Sequence, residues 1–141
     1  MNFLLDTNVI SEWLKPRPDR GVIEWLAAVD EDRVYISVVT MSEIRYGIER
    51  MPASARRKRI EDWLTTDLPQ RFERRIVPID VTIADSWGKI TYRGRTAGRP
   101  ISPMDAFIAA TAETRDLTLV TRNVSDFDVL GVAVISPWAA S

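Results

Sequence analysis

The sequence contains neither cysteine nor histidine. Without cysteine there is no disulfide, no thiolate nucleophile and no Cys-ligated zinc. Without histidine there is no Ser-His or Cys-His activation, no His-ligated metal and no imidazole acid–base pair. Catalysis by this chain has to run on carboxylates, hydroxyls, amides, Lys, Arg, or a hard metal held by oxygen. Long apolar runs are missing as well, and no 18-residue stretch could span a membrane. The opening Met-Asn-Phe-Leu-Leu-Asp lacks the basic n-region of a signal peptide, so the expected location is the cytoplasm, away from membranes. No G-x-G-x-x-G follows the first apolar run, which disfavours a dinucleotide-binding oxidoreductase. Repeats, low-complexity tracts and interdomain linkers are absent too.

What is present is one domain's worth of chain, read as a single unit over residues 1–141, with 45% apolar and 28% charged residues. The net charge of −1 and pI near 5.5 do not advertise a nucleic-acid binder. That total hides a skew, because 16 of the 19 basic residues are Arg. They gather at Arg56, Arg57 and Arg59, at Arg71, Arg74 and Arg75, and at Arg93, Arg95 and Arg99. A solvated helix face is the ordinary meaning of such clusters. Bidentate contact with phosphate is the alternative.

Apolar periodicity supplies the architecture. Phe3-Leu4-Leu5 reads as a short buried strand, followed by a helix from about Thr7 to Leu14 that Pro16 and Pro18 terminate. Val22, Trp25, Leu26 and Val29 mark one face of a second helix. Val34–Val38 is a strand, and Met41, Ile44, Ile48 and Met51 stripe the helix after it. Ile60, Trp63, Leu64 and Leu68 stripe a long Arg-rich helix. Ile76–Ile79 is a weaker strand whose Pro78 suits a sheet edge. Helices over about Val81–Arg95 and around Met104, Phe107, Ile108 and Thr111 precede strands at Leu117–Thr121 and Val132–Ile135. Strands alternating with helices predict a three-layer α/β domain, a central parallel sheet flanked by helices. Ligands of such sheets bind outside the carboxyl ends of the strands, where the strand order reverses.

Acidic and amide side chains fall at those places. Asp6 directly follows the first strand, Glu43 is placed at the opening of the helix after the second, Asp105 lies in the first turn of a later helix, and Asn123 and Asp126 follow the strand Leu117–Thr121. Capping accounts for each singly. Thr40-Met41-Ser42-Glu43 fits a capping box, Ser102-Pro103-Met104-Asp105 has Pro at N1, and Asp6 and Asn123 suit N-caps. If the three carboxylates converge, their repulsion calls for a cation, and oxygen-only ligands select Mg²⁺ or Mn²⁺ over zinc. Such an ion can lower the pKa of a water and stabilise charge on a phosphoryl oxygen.

Four segments together resemble PIN-domain proteins, in particular the VapC-type toxins of bacterial toxin–antitoxin pairs. They are Leu5-Asp6-Thr7-Asn8-Val9-Ile10-Ser11-Glu12, Ser42-Glu43-Ile44-Arg45-Tyr46-Gly47-Ile48, Asp105-Ala106-Phe107-Ile108-Ala109-Ala110-Thr111-Ala112 and Leu119-Val120-Thr121-Arg122-Asn123-Val124-Ser125-Asp126-Phe127. The likeness extends through Gly131 to Pro137-Trp138. It implies a PIN-like fold and a magnesium-dependent endoribonuclease, with Mn²⁺ able to substitute, that inhibits translation and growth. By the same resemblance, Asp6, Asp105 and Glu43 are the metal-binding and catalytic acids. Thr121 supplies an ordering hydroxyl and Asn8 supports Asp6. Where the family often carries a fourth acid this chain has Asn123, so one Mg²⁺ is expected, and Asp126 is the candidate to supply a missing charge for a second.

The resemblance also implies a homodimer and a VapB-type antitoxin laid along a groove, for which the helices around Trp25 and Trp63 are candidates. Core packing is the other reading of both tryptophans. An acidic site that cuts RNA needs cations at its rim, and Arg45, Arg93, Arg95 and Arg99 are the candidates. Two other functions compete. A phosphoacceptor switch lacks its paired acids after the first strand and a Lys after the late one. A non-catalytic RNA- or protein-binding module remains open because of Asn123.

Overall fold

Short runs rich in Leu, Ile and Val form five parallel strands in the computed structural model, which describes residues 1–138. They are β1 (Phe3–Leu5), β2 (Val34–Ser37), β3 (Ile76–Val77), β4 (Thr118–Val120) and β5 (Val134–Ile135). The order across the sheet is β3-β2-β1-β4-β5, with Phe3 in register with both Val34 and Thr118. The chain builds outward from β1 to β3 on one side, then returns to lay β4 and β5 on the other. The order therefore reverses between β1 and β4, and a cleft opens beyond their carboxyl ends. Pro78 follows β3 at the sheet edge, as its missing N–H requires.

Among the described residues, eight α-helices cover the two faces: α1 (Thr7–Ile10), α2 (Arg20–Ala28), α3 (Val38–Glu49), α4 (Ala55–Asp62), α5 (Leu68–Arg71), α6 (Val81–Thr96), α7 (Pro103–Thr114) and α8 (Val124–Asp128). Adjacent strand residues point to opposite faces, so Leu4 and Leu119 join one apolar cluster with Ile90, Ile108 and Phe127. Leu5 and Val120 join the other with Val9, Ile44 and Leu64. This is the three-layer α/β architecture expected from the sequence. No helix of the described residues is long and apolar enough to cross a membrane.

Three expectations need correction. The helix after β2 begins at Val38, with Ser37 as N-cap bonded to the Val39 N–H, so Thr40 is not a cap and Glu43 lies in the helix interior. The long Arg-rich helix is broken by a π turn at Trp63–Asp67. Pro69 explains the break, since it has no N–H to give and its ring collides with a carbonyl one turn back. Met104, assigned to an apolar stripe, is exposed, while Ile108 and Thr111 of the same helix are buried.

The connection between α6 and α7 is tight, and it sets Asp105. A Cβ on Gly94 would sit 2.9 Å from the Arg99 carbonyl oxygen, a backbone atom that cannot swing away. Gly98, at φ +70°, completes the turn that delivers Ser102 to cap α7. Gly94→Ala is expected to cost about 1–3 kcal/mol, read as a lower urea midpoint with an unchanged slope. An unchanged midpoint would show that this approach is not required.

Candidate active site

Asp6 emerges from β1 as the N-cap of α1 and is 4% exposed. Its Oδ1 accepts the Thr7 N–H at 2.7 Å, and its Oδ2 accepts the buried Thr121 hydroxyl at 2.8 Å. The Asn8 amide nitrogen reaches both Asp6 Oδ2 and Thr121 Oγ1 at 3.4 Å, while its oxygen accepts the Arg122 N–H at 3.3 Å. These bonds tie the end of β1 to the end of β4. Burial dominates the acidity of Asp6, raising its pKa to about 6; the Thr121 and Thr7 bonds offset part of this, and the Asp105 and Glu43 charges add to it.

Glu43 comes to the same place from α3. Thr7 Oγ1 donates to Glu43 Oε1 at 2.6 Å and lies 3.2 Å from Thr40 Oγ1. Glu43 is thus held by the residue next to Asp6, which a helix-capping role does not explain. Asp105 stands in the first turn of α7, its N–H donating to the capping Ser102 Oγ at 3.2 Å. Its pKa is raised, chiefly by burial, with Ser102 lowering it and Asp126 raising it. Asp6, Glu43, Asp105 and Asn123 line one cleft of about 370 Å³. Asp126 does not. It lines a neighbouring cavity with Arg99 and Ser102, and Asp105 borders both.

The donor set is entirely oxygen, which fits Mg²⁺ or Mn²⁺. Among the described residues, however, no three carboxylates are gathered closely enough to hold a metal ion between them. A hydrated Mg²⁺ needs no such cage, because it keeps several waters and takes one or two carboxylates. Asp6 and Asp105, both with raised pKa values, fit that requirement, since a cation would relieve the cost of their ionisation.

The expected rim arginines lie largely elsewhere. Arg45 pairs with Glu49 at 3.7 Å, and Arg93 donates to the Leu130 carbonyl and pairs with Glu113. Arg95 ends α6 and lines neither cavity, leaving Arg99 beside Asp105 in the second. The cleft instead takes its cations from Lys15 and Arg122, with Glu12 and Trp138 beside them. None of the four stands out in the sequence as a site residue; Glu12, Arg122 and Trp138 fall within the stretches that carry the family resemblance, and Lys15 does not.

Trp25 and Trp63 are half-buried. Both pack against the core cluster of Leu5 and Val120. An apolar groove does adjoin the cleft, lined by Leu14, Ile44, Ile48, Met51 and Ile60, and it shares Thr7, Ser11 and Glu43 with the cleft.

Residues 3–131 match the PIN domain family. The chain is 36% identical to VapC ribonuclease Y4jK of Sinorhizobium fredii over 96% of each chain. It is also 36% identical to toxin FitB of Neisseria gonorrhoeae, over 96% of this chain and 97% of that one. The crystal structure of FitAcB from the same organism matches with a TM-score of 0.92 at 36% identity, covering 98% and 99% of the two chains. A toxin–antitoxin complex from Klebsiella pneumoniae matches with a TM-score of 0.73 at 26% identity, covering 99% and 100%.

Proposed function

This chain belongs to the PIN domain family, and on that premise we propose that it is a VapC-type toxin, a magnesium-dependent endoribonuclease that hydrolyses RNA phosphodiester bonds and so inhibits translation. The observation that carries the reading is the bonded network Thr121–Asp6–Thr7–Glu43. It holds two carboxylates from successive βα units on one cleft that Asp105 also lines. A capping role needs no such convergence.

Asp6 and Asp105 would hold Mg²⁺, which when bound activates water and stabilises charge on a phosphoryl oxygen. The chain's own groups do the positioning. Thr121 and Asn8 fix the Asp6 carboxylate from behind, and the Thr121 bond favours its ionised form. Thr7 occupies Glu43 Oε1, leaving Oε2 to accept a proton from an attacking water. Asn123 presents a neutral amide where a fourth acid would add charge, so one ion suffices for the site as built.

The partners on this reading are RNA, a second copy of the chain, and a VapB-type antitoxin. The antitoxin's apolar segment would lie in the Ile44–Ile48–Met51 groove, and a basic side chain continuing from there would enter the acidic cleft past Thr7 and Glu43.

The test uses total bacterial RNA, so no substrate is chosen in advance. Discrete new 5′-ends are expected with Mg²⁺ and none with EDTA. Metal-independent ends would overturn the magnesium dependence, and no ends at all from folded, antitoxin-free protein would overturn the nuclease reading in favour of a non-catalytic binding module.

A further inference from the structure

Two cations line the cleft, and the structure holds each in a way that surface charge alone does not require. Glu12 is buried, and its two oxygens are both engaged: Oε1 accepts the Asp19 N–H at 2.8 Å, and Oε2 pairs with Lys15 Nζ. The Lys15 side chain is 51% exposed while that of Glu12 is 3% exposed, so the pair is a fixed dipole with its positive end toward solvent. Burying a carboxylate is costly, and a surface ion pair contributes little stability in return. What the arrangement does secure is the location of one ammonium.

Arg122 is fixed differently. Its N–H donates to Asn8 Oδ1, which anchors its backbone to the Asp6 network. Its exposed guanidinium lies 5.7 Å from the ring centroid of Trp138, within cation–π range. Although the same cleft holds Asp6, Glu43 and Asp105, Arg122 pairs with no carboxylate among the described residues. Its planar fork of donors is left for another anion, and a phosphate accepts it through two oxygens.

We propose that Lys15 and Arg122 take two backbone phosphates of the bound RNA, an inference that rests on the nuclease reading above. Lys15 enters from the segment after α1 and Arg122 from the end of β4, so the strand crosses the cleft supported from two separate elements. Glu12 is a positioning residue that acts through Lys15. The two cations also offset the repulsion between an acidic cleft and a polyanion, which the sequence had left to Arg45, Arg93, Arg95 and Arg99.

The test is the salt dependence of binding to a 5′-fluorescein 12-nucleotide single-stranded RNA of randomised sequence, by anisotropy without Mg²⁺. The parent is Asp105→Asn, which leaves the RNA uncut. Lys15→Met and Arg122→Met are each expected to lower the slope of log K against log salt by about 0.7, and together by about 1.4. Lys89→Met, remote on α6 and paired with Asp85, is expected to leave it unchanged. Should Lys15→Met fail to fold because Glu12 is stranded, Glu12→Gln with Lys15→Met removes both charges together. Lys15→Arg is expected to restore the parental slope.

In the cleaving protein, Glu12→Gln keeps the Lys15 charge but releases it, and is expected to raise KM several-fold with kcat little moved. An unchanged KM would overturn Glu12's part. Parental slopes in both Met variants would overturn the phosphate contacts while Mg²⁺-dependent cleavage stands. No binding by the parent also overturns them, and cleavage of total RNA then shows whether the nuclease reading falls too.

Discussion

Asp6→Asn is expected to reduce RNA cleavage by at least about 10³-fold, measured as a single-turnover rate on whichever RNA the 5′-end mapping identifies. Magnitude separates the roles here. Losing a group that only orients a metal ligand typically costs about 10–100-fold, and Thr121→Val, which removes the donor to Asp6 Oδ2, is expected in that range. Asp6→Asn removes a charge from the ion's own site and belongs well above it. The substitution keeps the volume, and the new amide oxygen can still accept the Thr7 N–H while Thr121 reverses its hydroxyl. A loss under tenfold in a folded protein would sink the assignment of Asp6.

The same substitution is expected to stabilise the metal-free protein at neutral pH. Burial holds the folded Asp6 carboxyl at about 6, against 3.8 for an ordinary aspartate. Between those values the folded chain retains a proton that the unfolded chain has released. Stability therefore falls as pH rises through this window; the penalty is absent below it and complete above about 6. A shift of this size corresponds to roughly 3 kcal/mol at pH 7. Asp105, also raised, acts in the same direction and is present in both proteins, so the difference between them reports Asp6 together with its repulsion of Asp105. Melting in EDTA from pH 4.5 to 8 should show the variant gaining about 5–10 °C on wild type as pH rises. Saturating Mg²⁺ should raise the wild-type midpoint and close the gap. A wild type that gains on Asp6→Asn with rising pH would contradict the burial argument. If the variant instead gains stability and loses cleavage, one residue costs stability and supplies activity, which is how a site built for a cation behaves without it.

Local chemistry was legible wherever a residue's role depends on its chain neighbours. Pro78 marks the edge strand because it lacks a donor, and Ser102-Pro103 starts α7 because cap and first-turn preferences coincide. Strands alternating with helices predict a parallel sheet flanked on both faces, and Leu4 and Leu119 pack on one face while Leu5 and Val120 pack on the other. Thr40 misled for a physical reason. A capping hydroxyl works only where the backbone is extended, and the chain leaves β2 at Ser37, three residues earlier, despite the β-branched Val38 and Val39.

By itself, then, the sequence determined the layer architecture, the lack of any imidazole or thiol chemistry, Asp6 as an acid directly after the first strand and Asp105 as one in the first turn of a later helix. Only the tertiary structure decided what meets what. It set Thr7 on Glu43 and Thr121 on Asp6, moved Asp126 to a neighbouring cavity, and packed Trp25 and Trp63, half-buried, against the core. It also committed Arg93 to Leu130 and Glu113 while bringing Lys15 and Arg122 into the cleft. The reason is that strand order, not spacing along the chain, fixes these neighbours. β4 lies against β1 across more than a hundred residues of sequence, and no local preference encodes that pairing.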